Sequence, residues 1–160
     1  MKRDNYRYTR FKKLSQTCAQ FFALSMVLLF GHLAQADEVN TGWFSDVAIE
    51  GYDPVAYFTE NRPVKGSKKH SFRWRDARWL FATAENRQKF AENPERYAPQ
   101  YGGFCAWAVA HGDRAGIDPE QFTVHEGRLY LNYNARIQEQ WTEDKSALIE
   151  AADDYWPKMQ

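Results

Sequence analysis

The twelve residues FTVHEGRLYLNY, Phe122–Tyr133, alternate apolar and polar side chains on both sides of Glu126-Gly127. Such alternation around a two-residue turn ending in glycine marks a tight β-hairpin, because the turn needs positive φ and glycine adopts it without strain. The register opposes Val124 with Leu129 and Phe122 with Leu131 on one face. His125 then falls at the turn mouth on the other face.

C-terminal to this hairpin the apolar period changes to that of a helix. Asn134 reads as the N-cap of a final helix in which Ile137, Trp141, Leu148, Ala152 and Tyr155 recur on one face, with Pro157 marking its end. N-terminal to it lies a second hairpin pattern. His70, Phe72 and Trp74 alternate with Ser71 and Arg73, and Trp79, Leu80 and Phe81 follow a polar break at Arg75–Arg78. This predicts Trp74 opposite Trp79 and Phe72 opposite Phe81, with His70 on the same face, toward the core or its rim. Thr83 is an expected N-cap for a helix from Ala84 to about Asn93, and Pro94–Tyr97 can start another turn. Asp53-Pro54 signals a turn, Val55–Phe58 reads as a short strand, and Thr59–Lys69 as a loop.

Two hairpins with short helices and an amphipathic C-terminal helix predict a small, single α+β domain, not an alternating α/β sheet. No internal repeat or low-complexity tract stands out, and no linker divides residues 37–160.

Residues 1–36 read as a secretory signal. Lys2, Arg3, Arg7, Arg10, Lys12 and Lys13 form a basic start, an apolar run spans Ala19–Ala34, and Ala34-Gln35-Ala36 fits a cleavage site. The run is shorter than the roughly 20 residues of a spanning helix, so no membrane insertion is expected after cleavage. Localisation is expected to be periplasmic. The chain carries 21 basic and 21 acidic residues; without the signal, 15 basic face 20 acidic. That balance gives no electrostatic case for nucleic acid.

Cys105 would be the only cysteine of residues 37–160, within YAPQYGGFCAWAVAHG, Tyr97–Gly112. A lone thiol behind Gly102-Gly103 is either packed as a small hydrophobe or presented for chemistry. Strand periodicity would put Cys105, Trp107, Val109 and His111 on one face. The alanines at 106, 108 and 110 favour a helix, which would set Cys105 in a first turn where the dipole lowers a thiol pKa. Tyr52, Asp53, Tyr101, Gly102 and Gly103 are candidates to line a pocket beside it. The core is the default place for the two tyrosines, and Asp53 is expected to order the turn at Pro54 with its side chain. His111 follows Cys105 by six residues, which suits a helix-end histidine better than a ligand. The chain has no phosphate loop, CxxC, HExxH or GxSxG motif.

GYDPVAYF, HSF, FATAENRQKFAENPERYAPQYGG, FCAWAV and GRLYLNYN together resemble the YHS-domain family in its exported stand-alone form, from about Val47 to Trp156. The resemblance implies a small α+β fold and a link to heavy metals. The metal-associated YHS pattern has cysteines where this chain has Ala56, Ala82 and Asn86, so its thiol cluster is absent here. The exported subgroup is similar in having its cysteine in the Tyr-Gly-Gly-x-Cys-Ala context of Cys105. Some proteins resembling this subgroup carry selenocysteine there, which implies an active chalcogen.

Three functions follow as expectations. One is a module holding copper or zinc through Cys105 with His70, His111 or His125, since thiolate and imidazole suit soft ions. Another is thiol redox chemistry with Cys105 as a low-pKa nucleophile, completed by a redox partner protein or small thiol. The third is a structural or interaction domain with an inert Cys105.

Overall fold

The computed structural model describes residues 38–42 and 44–160. The chain divides into units Met1–Gln35 and Ala36–Gln160, and the described residues belong to the second. The proposed signal and its cleavage site lie outside them. The unit is α+β: two separate antiparallel hairpins with six helices around them.

The elements run α1 (Ala56–Thr59), β1 (Ser67–Trp74), β2 (Ala77–Phe81), α2 (Ala84–Glu92), α3 (Pro94–Tyr97), α4 (Ala106–Val109), β3 (Asp118–His125), β4 (Arg128–Asn132), α5 (Ala135–Glu143) and α6 (Lys145–Met159). Short 3₁₀ turns at Ala48–Gly51 and Gln100–Gly103 precede α1 and α4. Among the described residues no helix is long and apolar enough to cross a membrane.

The β3–β4 hairpin has the register its sequence predicts, Val124 with Leu129 and Phe122 with Leu131. Glu126 and Gly127 both take positive φ, 49° and 73°, as a type I′ turn requires. The β1–β2 hairpin differs from expectation by two residues. Trp74 pairs with Ala77 and Phe72 with Trp79, because the turn is the two-residue Arg75-Asp76 and not a four-residue break. Both turn residues hold positive φ, a conformation that arginine does not announce. Phe72, Trp74, Trp79 and Phe81 surround fully buried Phe90 of α2, with ring centroids 5.1–6.2 Å away. This aromatic nest is the centre of the first hairpin's core, and removing the central ring would cost about 3–5 kcal/mol.

Val55–Phe58 is not a strand. Asp53 accepts from the Val55 amide at 2.9 Å, and the chain turns directly into α1, with the Glu60 amide bonding Ala56 C=O. The β-type residues are there for burial: Val55, Ala56 and Tyr57 are all inaccessible. Thr83 caps α2 through the Asn86 amide, as its sequence predicts. Asn134 likewise caps α5 through the Ile137 amide. The expected single C-terminal helix is two, parted at Asp144, whose φ of −132° leaves the helical region. Pro157 lies inside α6, which runs on to Met159.

Candidate functional site

Cys105 stands at the N-cap of α4, one residue before the helix and bridged to Leu131 of β4. Its side chain packs with Ala108, Ile137, Trp107 and Ala115, and the residue is 1% exposed. Its amide donates to Ala115 C=O at 3.1 Å, which ties down the exposed 111–116 turn above it.

The polar neighbours of the sulfur are set by a chain of side-chain amides. Gln138 of α5 donates from Nε2 to Phe122 C=O (3.2 Å) and Thr123 Oγ1 (2.7 Å). A backbone carbonyl only accepts, so Gln138 cannot flip, and its Oε1 must face Asn132 Nδ2 at 2.8 Å. That in turn aims Asn132 Oδ1 at the Trp107 amide (3.1 Å) and at Cys105 Sγ (3.7 Å). Asn132 is wholly buried, so this order has no competition from water. An acceptor pointed at sulfur favours S–H over the thiolate.

Burial pushes the Cys105 thiol above its ordinary value, and the opposing pull of the Ala108, Tyr133 and Trp107 amides does not reverse it. The expected dipole-lowered thiol is therefore not found. Cys105 precedes a helix of a single turn, and removal from water outweighs that turn's partial charge.

Two of the three candidate histidines have other partners, and the third lies in the other hairpin. His111 stacks on Trp107 with centroids 3.9 Å apart, and its Nδ1 lies 2.7 Å from Trp107 C=O, as a helix-end histidine would. His125 is at the β3–β4 turn opposite Arg128, with Nε2 3.9 Å from Glu126 Oε1. Asn132, beside the sulfur, is four strand residues beyond Arg128, about 13 Å along β4. His70 is half-buried on β1 in the other hairpin. Among the described residues no three His, Cys, Asp or Glu side chains group as a metal site.

The other candidates serve several places. Asp53 is completely buried and accepts three hydrogen bonds, from the Val55 amide, the Ala82 amide (2.9 Å) and Asn86 Nδ2 (2.8 Å). It does order the turn at Pro54, and it also ties that turn to the end of β2 and to α2. Tyr52 lies under Lys65, whose Nζ is 4.2 Å from the ring centroid. Tyr101 is buried, and its hydroxyl donates to Asp153 Oδ1 at 2.9 Å. Burial, aided by that carboxylate, pushes its phenol far up.

Tyr101 and Gly102 line a cleft of about 300 Å³ with Glu95, Asp153 and Trp156. The glycine pair answers to close packing: a Cβ at Gly102 would meet Glu38 C=O at 1.9 Å, and one at Gly103 would meet Ile49 Cγ2 at 2.6 Å. A second cavity, about 440 Å³, is lined by Glu38, Asn40, Glu50, Phe104, Arg114 and Ala115, on the flank of the turn that covers Cys105.

Asn132, Gln138 and Asn86, which fix the chemistry of the two buried polar centres, carry no motif. The one trace is Asn132 itself, a polar residue closing a strand whose other buried positions are Leu129, Tyr130 and Leu131. The chain matches no protein-family model, no curated protein and no solved structure.

Proposed function

We propose that the protein is an exported binding module of the YHS type in which Cys105 is held at rest as a neutral, structural thiol. The observation that carries this reading is the amide chain from Phe122 C=O through Gln138 and Asn132 to the sulfur. A sulfur kept ready to attack or to coordinate would have donors or cations strong enough to outweigh its burial, whereas the backbone amides around Cys105 do not, and the one side chain aimed at it accepts. The YHS assignment rests on the sequence motifs. It is supported by the Ala82 amide and the Asn86 side chain meeting at Asp53, three residues before Ala56. Two of the three positions that are cysteines in the metal-associated pattern, 82 and 86, thus meet at one hydrogen-bonded carboxylate three residues before the third, Ala56. Export rests on the basic, apolar and small-residue order of residues 1–36. The cleft at Tyr101 and the cavity at Phe104 are the candidate ligand surfaces.

A thiol-redox reading has one observation in its favour. Three backbone amides face the sulfur, and its cover includes Ala115 of an exposed turn beside a cavity. In that reading the 111–116 turn opens, water enters, and an oxidant or partner thiol reaches Cys105.

Alkylation of the folded protein at increasing denaturant separates the two. A structural thiol reacts with the full denaturant dependence of global unfolding, whereas local opening gives a rate nearly flat at low denaturant. Titration with cuprous and zinc ions beside Cys105→Ser tests the soft-metal function. Stoichiometric uptake lost in the variant would replace the structural reading with that one.

A further inference from the structure

We infer that the domain is one supersecondary unit used twice, with Asp53 of the first copy and Cys105 of the second in the same structural position. This goes beyond the proposed function and stands whether or not Cys105 ever reacts.

The two copies agree element by element. The first opens on a parallel bridge from Val47 to Arg78, the second on one from Pro99 to Leu129. Next comes a triplet at positive φ: Ile49, Glu50 and Gly51 at 41°, 55° and 79°, and Tyr101, Gly102 and Gly103 at 56°, 61° and 82°. Each triplet leads to a one-turn helix, α1 or α4. Each is followed by a hairpin with strands of eight and five residues. Both hairpins close with a two-residue turn at positive φ, and both ladders shift at the same place, between Ser67 and Ser71 and between Asp118 and Phe122. A nine-residue helix then starts from a side-chain cap on its third amide, Thr83 on Asn86 and Asn134 on Ile137. Phe90 and Trp141 sit at the same turn of those helices, both fully buried.

Single hydrogen bonds repeat as well. The Tyr52 amide bonds Ile49 C=O, and Phe104 bonds Tyr101 C=O. The Asp53 amide bonds Val64 C=O, and Cys105 bonds Ala115 C=O. Asp53 accepts from the Val55 and Ala82 amides, and the counterparts of those amides, on Trp107 and Tyr133, face the Cys105 sulfur.

The copies differ in what surrounds position 53 or 105. Asn86, which donates to Asp53, corresponds to Ile137, which packs on Cys105. Phe81, apolar and buried, corresponds to Asn132, which points an acceptor at the sulfur. Two exchanges thus separate a position dressed for a carboxylate from one dressed for a thiol.

The test converts the second position into the first. Cys105→Asp alone places a carboxyl against Asn132 Oδ1, which favours its neutral form. The triple variant Cys105→Asp, Ile137→Asn, Asn132→Phe supplies the first copy's donor and removes the acceptor. Thermal midpoints of both are measured from pH 7 to pH 4 against Cys105→Ala. The single variant should gain stability as pH falls, because its folded carboxyl titrates above the unfolded value. The triple variant should lose that gain, because the introduced donor favours the carboxylate where the removed acceptor favoured its neutral form.

The titratable and charged groups on the elements packed against position 105 include His111 beyond α4, Asp113 and Arg114 in the covering turn, Asp118 opposite Asn132, Arg128 and Tyr130 of β4, and Arg136, Glu139 and Glu143 of α5. All are unchanged in the three proteins, so they cancel in the comparison. An equal dependence on pH in both variants overturns the inference. Asp53→Cys gives a second readout from ultraviolet thiolate absorbance. The new thiol faces only donors and should titrate at least tenfold more readily than Cys105, and two thiols that titrate alike would contradict the equivalence.

Discussion

Asp53 and Cys105 close the same kind of corner, where a short helix leaves the end of a hairpin, yet the two corners hold opposite chemistry. At Asp53 every polar neighbour donates: two backbone amides and the Asn86 side chain converge on one carboxylate. At Cys105 burial disfavours the thiolate, and the one side-chain polar neighbour accepts, because Asn132 Oδ1 is locked toward the sulfur by Gln138 and the Trp107 amide. A buried backbone corner offers N–H groups to whatever fills it. The side chain opposite then decides whether the occupant carries charge or a proton.

The largest effect on this comparison should come from Asp53→Ala. It strands two buried amides and the Asn86 NH₂, each costing about 1–3 kcal/mol, so a loss of at least about 3 kcal/mol is expected in denaturant unfolding. Asn132→Leu should cost less, about 2 kcal/mol, since it orphans the Trp107 amide and one atom of Gln138 while gaining apolar packing. It should also lower the Cys105 pKa, because the acceptor that favours S–H is gone; ultraviolet titration of the thiol reads this directly.

The sequence disclosed the corners unevenly. Glu126-Gly127 made β3–β4 readable to the exact pair, because glycine at a positive-φ site is a local signal. Arg75-Asp76 adopts the same turn without such a residue, so the first register differs from the one its residues predict. Val55–Phe58 has strand-like side chains, but a buried carboxylate two residues earlier folds it into a helical turn. Tertiary burial overrode local propensity there. The repeat escaped notice because it survives in backbone geometry and hydrogen bonds. Few aligned pairs are identical, among them Gly51 with Gly103, Ala56 with Ala108 and Leu80 with Leu131. Cys105 was visible as a singular residue, but the partners that set its protonation come from β4 and α5, and no spacing rule links them.

Smaller effects sharpen the contrast. Cys105→Ala should cost about 1–2 kcal/mol near neutral pH. The folded thiol titrates above its unfolded value of about 8.5, so the parent's advantage over this variant is complete below that pH. It should shrink as pH rises through the folded value. Urea unfolding of both proteins at pH 7 and pH 10 checks the sign. Smallest of all should be Trp141→Phe, which makes the second copy resemble the first at Phe90. The Trp141 indole N–H is buried without a hydrogen-bond partner, so its removal offsets lost packing, and the net change should stay within about 1 kcal/mol.

The most direct measurement is ultraviolet absorbance of the Cys105 thiolate in the folded protein as pH is raised, with Cys105→Ala as the blank. A sulfur removed from water and facing the Asn132 acceptor shows a midpoint above the ordinary cysteine value of about 8.5. A midpoint well below that value in the folded state would contradict the account. It would mean that donors, and not the amide acceptor, govern the second corner.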